Sequence, residues 1–360
     1  MAEARHVLVI AEAGVNHNGS LDTARRLVDA AADAGADVVK FQSFRAESLA
    51  TASAAMAPYQ KARDAAASQV EMLRRLELSP DAHHALAAHC RSRGIEFLST
   101  AFDEEYLGFL VRDIGVQRIK VASGEITNGP LLLAAARLGR PILLSTGMST
   151  LADVEAALAV FAFGFTAAGS PDDMEACRSA FATPQGNAAA RERVTLLHCV
   201  TEYPAPLADA NLRAMGTLGH VFGTAVGYSD HTPGIVASLA AAALGASVIE
   251  KHLTLDRSMP GPDHHASLEP REFEALVRGV RETAVALGSA EKKPVAAEEA
   301  NRLVARKSLV AARPIARGAT ISLADLAAKR PGTGISPMDA WTVVGTKARR
   351  DYAKDELIER

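Results

Sequence analysis

Two histidines, His231 and His252, each close a short apolar run with charged residues at its end: AVGYSDH (225–231) and SVIEKH (247–252). Side by side on adjacent strands, two neutral imidazoles form either a ligand pair for a divalent transition metal or a hydrogen-bonded pair. Spacing alone leaves both open. Asp230 and Glu250 either face inward or orient such ligands from behind. His264 and His265 follow Gly261-Pro262-Asp263 and are weaker candidates, since adjacent side chains diverge. Lys40 in DVVKFQ and Lys120 in RIKVAS occupy the same kind of run end. A lysine there is a Schiff-base nucleophile or an anion clamp. The hydroxyls of Ser123, Ser145, Thr146 and Ser229 favour a clamp for phosphate or carboxylate, with Gly124 and Gly147 permitting close backbone approach. Glu12 ends the first run, HVLVIAE, as a general base or as a lysine's partner. Thr201-Glu202-Tyr203-Pro204 offers a sugar hydrogen bonds and an aromatic face, or makes an ordinary loop turn.

These residues need a frame that brings distant segments to one place. Eight apolar runs end in polar residues: 6–12, 37–42, 96–102, 118–123, 141–146, 194–199, 225–231 and 247–252. Ala- and Leu-rich helical stretches lie between them, at 21–34, 80–93, 103–113, 130–138, 151–162, 208–219, 234–244 and 270–287. Eightfold strand–helix alternation predicts an α/β (β/α)₈ barrel over 1–287, with its chemistry at the C-terminal strand ends. Segment 43–78 lies on that side, with a helical pattern near 62–77, and is placed to fold over the mouth. The insertion at 164–193 precedes the sixth strand, so it belongs to the opposite face and has no expected catalytic role. Residues 288–305 are polar and helix-prone, as a linker would be. Beyond them, 306–360 reads as a small β-rich module with runs at 308–315, 320–326 and 341–350.

The 360-residue chain is 48% apolar and 22% charged, with a net charge of -3. That is enough apolar content for a full core, and the charge gives no attraction for nucleic acid or an anionic membrane. Three unpatterned cysteines suggest a reducing compartment, and cytoplasmic residence is the expectation. There is no glycine-rich nucleotide fingerprint, Walker loop or nucleophile elbow.

In order along the chain stand IAEAGVNHNGS, VVKFQSF, FLSTAFD, KVASGE, STGMST, HCVTEYPAP, GYSDHTPG, EKHLTLDRSMPGPDHHASLEP and KRPGTGISP. Together they resemble the sialic acid synthase family across nearly the whole chain, and the C-terminal module resembles that family's antifreeze-like (SAF) domain. The resemblance implies condensation of phosphoenolpyruvate with N-acetylmannosamine or a related N-acyl sugar, giving N-acetylneuraminate and phosphate. It implies Mn²⁺ or a similar ion on His231 and His252. It implies phosphoenolpyruvate bound by Lys40, Lys120, Ser123, Ser145 and Ser229, and Glu12 as acid/base. Gln42, Thr201, Tyr203 and Asp263 would lie along the sugar. Arg330 would reach a partner's barrel in a domain-swapped homodimer. Thr201-Glu202 replaces the Asn-Ile of some members, which leaves the sugar's C4 and C6 substituents open. The alternative substrate is 2,4-diacetamido-2,4,6-trideoxymannose, giving a legionaminic-type acid. More distant readings are a metal-dependent aldolase and a non-enzymatic carbohydrate- or ice-binding protein.

Overall fold

The computed structural model describes residues 6–56 and 68–359. Its contacts divide the chain into two compact units, Met1–Gly288 and Ser289–Arg360.

The first unit is a closed barrel of eight parallel strands in sequential order: β1 Leu8–Gly14, β2 Val38–Ser43, β3 Glu96–Ala101, β4 Ile119–Val121, β5 Ile142–Ser145, β6 Val194–Cys199, β7 Ala225–Asp230 and β8 Val248–His252. β1 closes on β8, where Glu12 pairs in register with His252. Local chemistry starts the intervening helices. Ser20 Oγ accepts from Thr23 N at the head of Leu21–Asp33. Ser79 Oγ caps Pro80–Arg93, whose proline sits where no amide is needed. Thr150 and Asp153 form a reciprocal capping box on Leu151–Thr166.

Strand side chains alternate between the barrel axis and the helix layer. Ile10, Val38, Leu98, Leu143, Leu197 and Val248 cluster as the apolar plug of the barrel. Residues of the other parity, among them Val9, Ala11, Val39 and Phe41, join the core beneath the helices. β7 contributes Gly227 instead of a plug side chain. A Cβ there would lie 2.6 Å from both Leu197 Cδ2 and Val248 O.

Three expected features differ in the structure. The helix anticipated at 208–219 is Arg213–Phe222, preceded by a single 3₁₀ turn at Leu207–Asp209. Asn211 adopts a φ of 42°, which interrupts any continuous helix across that stretch. The 164–193 insertion is helical, with Met174–Ala182 and Pro184–Arg193 packed on an extended Leu151–Thr166, and Cys177 and Ala190 buried. In segment 43–78, residues 57–67 lie outside the described residues, and with them the first part, 62–67, of the anticipated 62–77 helix. Short helices stand at Ala46–Leu49 and Gln69–Arg74.

The second unit begins with a helix, Ala296–Ala305, inside the segment read as a linker. β9 Ser308–Ala311 pairs antiparallel with β10 Leu326–Lys329. Its small core includes Leu309, Ala311, Ile315, Ile321, Val343, Tyr352 and Ile358. The run expected as β over 341–350 starts instead in a helical turn, Ala340–Val343. A 3₁₀ turn at Pro337–Asp339 precedes it, with Ser336 Oγ accepting from Met338 N. No helix among the described residues is long and apolar enough to cross a membrane.

Candidate active site

Two residues beyond the plug, the same strand parity delivers polar side chains to the barrel mouth. Ile10 is followed by Glu12, Val38 by Lys40, Leu98 by Thr100, Leu143 by Ser145, Leu197 by Cys199, Gly227 by Ser229 and Val248 by Glu250. β4 adds Lys120, and one more step of two brings Gln42, Thr201, His231 and His252. All of these line one cavity containing about 950 Å³ of space, part of it continuous with solvent.

Its floor is a buried charge network. Lys40 Nζ lies 2.7 Å from Glu12 Oε2 and 3.6 Å from Glu250 Oε2, and it donates to Thr100 Oγ1 at 3.1 Å. Lys120 Nζ donates to Ser145 Oγ at 2.8 Å and lies 3.5 Å from Glu250 Oε1. Ser229 Oγ donates to Glu250 Oε1 at 2.8 Å, and Gln42 Nε2 to Glu12 Oε1 at 3.3 Å. Two ammonium and two carboxylate groups thus balance one another with almost no solvent contact. Burial dominates Glu12 and pushes it up to about 7 against the pull of Lys40. Burial also opposes ionisation of Glu250, but Lys120 and Lys40 together override it and hold that carboxyl down to about 2. Burial lowers Lys120, whereas the two glutamates outweigh burial and raise Lys40.

The histidines form the next tier. Their ring centroids are 5.5 Å apart, and Tyr203 packs 4.2 Å from His231 and 5.5 Å from His252. His231 Nδ1 is 2.6 Å from Val200 O. A carbonyl only accepts, so Nδ1 carries the proton and Nε2 keeps its lone pair. His252 Nδ1 is buried without a hydrogen bond, 3.9 Å from Asp263 Oδ2. Burial depresses both imidazoles, His231 to about 4, so both are neutral. Burial lifts Asp263 to about 6. Two neutral imidazoles with available lone pairs fit a divalent ion. Among the described residues no group of three His, Cys, Asp or Glu stands together as a metal site.

Of the expected site residues, Glu12, Lys40, Lys120, Gln42, Ser123, Ser145, Thr201, Tyr203, Ser229, Asp263, His231 and His252 converge on this cavity. Thr146 does not line it. It has the opposite parity to Ser145, and its hydroxyl and amide both donate to Leu197 O, capping β5 against β6. Arg330 belongs to the second unit, where it is exposed and its Nε donates to Ala305 O. Asp230 also faces away, pairing with Lys251 at 3.0 Å. Glu250 takes the inward one of its two readings and bridges the two lysines. His264 is held between Thr254 and Asn18, and His265 is exposed. Gly147 N–H is engaged by Ser123 Oγ at 3.0 Å. A Cβ on Gly147 would stand 2.2 Å from Thr201 Oγ1, so the site requires glycine there. Sequence reading missed Thr100, Cys199 and the apolar residues Val15, Met72, Leu73, Leu76 and Phe102. Counting in twos from the apolar plug finds the first two. The others are ordinary core residues by sequence.

The match to the NeuB family covers residues 27–292, and residues 306–359 match the SAF domain. The chain is 46% identical to the N,N'-diacetyllegionaminic acid synthase of Campylobacter jejuni, over 98% of this chain and 99% of that protein. It is 44% identical to the synthase of the same name from Legionella pneumophila, over 94% and 89%. Among solved structures, the N-acetylneuraminic acid (sialic acid) synthetase of Leptospira borgpetersenii superposes with a TM-score of 0.68 at 33% identity, covering 82% of this chain and 90% of that one. The chain belongs to the NeuB family and carries a C-terminal SAF domain. It is an enzyme, a carbon–carbon bond-forming synthase of the sialic and nonulosonic acid type.

Proposed function

We propose that the protein condenses phosphoenolpyruvate with 2,4-diacetamido-2,4,6-trideoxymannose and water to give N,N'-diacetyllegionaminic acid and phosphate. The observation that carries this choice is near full-length identity of 46% and 44% to two synthases of that product, against 33% to a sialic acid synthetase. It moves the legionaminic substrate ahead of N-acetylmannosamine, which sequence reading had placed first.

The residues divide the chemistry among them. Lys40 and Lys120, fixed by Thr100 and Ser145, present ammonium groups to the phosphate and carboxylate of phosphoenolpyruvate, with Ser123 and Ser229 alongside. His231 and His252 would hold a divalent ion, Mn²⁺ in our reading, which when bound supplies Lewis acidity toward the sugar aldehyde. The enol carbon of phosphoenolpyruvate forms the new bond to the aldehyde carbon, and the aldehyde oxygen ends as a hydroxyl. The electron-poor C2 left behind takes the oxygen of water, whose proton passes to Glu12. The adduct then collapses: its C2 hydroxyl becomes the keto group, the bond between C2 and the bridging oxygen breaks, and that oxygen departs with phosphate, so that of the two protons of water one ends on the aldehyde-derived hydroxyl, by way of Glu12, and the other on phosphate. Gln42, Thr201, Tyr203 and Asp263 orient the sugar. We place Arg330 in the site of a partner subunit, as the family resemblance implies.

Steady-state comparison of the two sugars tests the choice. A higher kcat/KM for N-acetylmannosamine than for the diacetamido sugar would refute it.

A further inference from the structure

Among the described residues, a group of five apolar side chains lines the cavity. Val15 from the loop after β1, Phe102 from the loop after β3, and Met72, Leu73 and Leu76 from the β2–β3 connection face it together. This wall is built as a satellite core. The three connection residues pack with Val15, Phe44, Ala46 and Met56, and Phe102 joins them through an edge-on contact with Phe44 at 6.0 Å. The connection is tied down: Ser68 Oγ caps the helix Gln69–Arg74, and Glu77 Oε1 accepts from Ala46 N at 2.6 Å. Among the five side chains the Met72 sulfur is the sole heteroatom, so the wall has no donor and only a very weak acceptor.

The wall lies above the charged floor. Phe102 is two residues past Thr100, about 7 Å further along the strand direction. A sugar whose aldehyde reaches phosphoenolpyruvate on the floor and whose other end turns to this side of the mouth meets the wall. We propose that Val15, Met72, Leu73, Leu76 and Phe102 form a specificity wall that selects sugars ending in a C6 methyl group and disfavours a C6 hydroxymethyl. A methyl gains by leaving water, whereas a hydroxyl pressed against the wall loses its hydrogen bonds. The inference deepens the proposed reaction and rests on it for the position of the aldehyde.

The test uses the full chain, phosphoenolpyruvate, Mn²⁺ and two probes that differ by one oxygen: N-acetylmannosamine and its 6-deoxy analogue. Wild-type enzyme is expected to prefer the 6-deoxy probe in kcat/KM by about 10²-fold, the usual scale for one hydroxyl facing an apolar pocket. Leu73→Gln and Leu76→Gln should each reduce that preference about ten-fold with KM for phosphoenolpyruvate unchanged. Leu73→Met and Leu76→Met, which keep the surface apolar, should retain it. Equal use of the two probes by the wild type overturns the wall, whatever the glutamine variants do. A preference undiminished in folded glutamine variants also overturns it. The substrate assignment fails separately: if the diacetamido sugar is used no better than N-acetylmannosamine while the 6-deoxy preference holds, the wall stands and the proposed substrate does not.

Discussion

Lys251 Nζ and Asp230 Oδ2 are 3.0 Å apart, sealed from solvent on the outer side of the barrel, and each immediately precedes a mouth histidine. Asp230 also accepts from Thr232 N, Thr232 Oγ1 and Ser238 Oγ, and Lys251 donates to Thr232 O. The pair ties the ends of β7 and β8 together on one face while His231 and His252 project from the other. Lys251→Met leaves a buried carboxylate without its ion partner. Urea unfolding should register a loss of about 3–5 kcal/mol. Mn²⁺ affinity, followed by the electron paramagnetic resonance of the free ion, should fall by about 10–100-fold. Unchanged affinity in a folded variant would mean that the pair does not set the histidines.

The histidines themselves give a sharper prediction. His231→Ala and His252→Ala should each abolish metal-dependent turnover and measurable Mn²⁺ binding, with the barrel's circular dichroism intact. Activity of both variants in excess chelator would remove the metal from the account.

Glu12 governs the pH response. In the proposed reaction it takes the proton from water and so must be ionised, and burial holds its carboxyl at about 7. The acid limb of kcat/KM, which reports the free enzyme, should therefore rise with pH through about 7, and that of kcat should lie higher. Binding of an anionic substrate runs the other way, since it favours protonated Glu12, so KM for phosphoenolpyruvate should rise above that pH. Glu12→Gln should lower kcat strongly and erase the limb. A limb that persists in this variant belongs to another group.

Lys40 and Lys120 differ in what they neutralise. Lys40 contacts both glutamates, so Lys40→Met strands Glu12 and leaves Glu250 to Lys120 and Ser229, which should cost about 3–5 kcal/mol near neutral pH. The loss should shrink in acid, as the carboxylates become neutral. Lys120→Met should act mainly on KM for phosphoenolpyruvate. Equal stability loss for both variants, independent of pH, would contradict the network.

The strand ends were legible because apolar runs closing on polar residues are a sequence-level signal, and eight of them admit few folds. Which polar residue faces the mouth was not read from those ends. Ser145 and Thr146 are neighbours of similar chemistry, yet one holds Lys120 and the other caps a strand. The same alternation turns Cys199 inward and His198 outward, where its ring bonds Ala210 O. Taking the buried plug as the origin and counting in twos would have sorted them. The apolar wall had no such signal, because Met72, Leu73 and Leu76 look like any buried helical face. Their position over the mouth depends on a long connection whose path sequence does not state.

Arg330 tests the assembly. If it completes a neighbour's site, inactive Arg330→Ala chains mixed with inactive Glu12→Ala chains should recover activity after subunit exchange, because one site in each mixed dimer is then intact. No recovery after verified exchange would place the whole site within one chain.

The most direct measurement of the central claim is product analysis with phosphoenolpyruvate labelled by ¹⁸O at the bridging oxygen, incubated with 2,4-diacetamido-2,4,6-trideoxymannose and Mn²⁺. Mass spectrometry should find N,N'-diacetyllegionaminic acid free of label and an equal amount of phosphate carrying it, because the bond broken is the one between C2 and that oxygen. Label retained in the acid, or sugar consumed without phosphate release, would contradict the account.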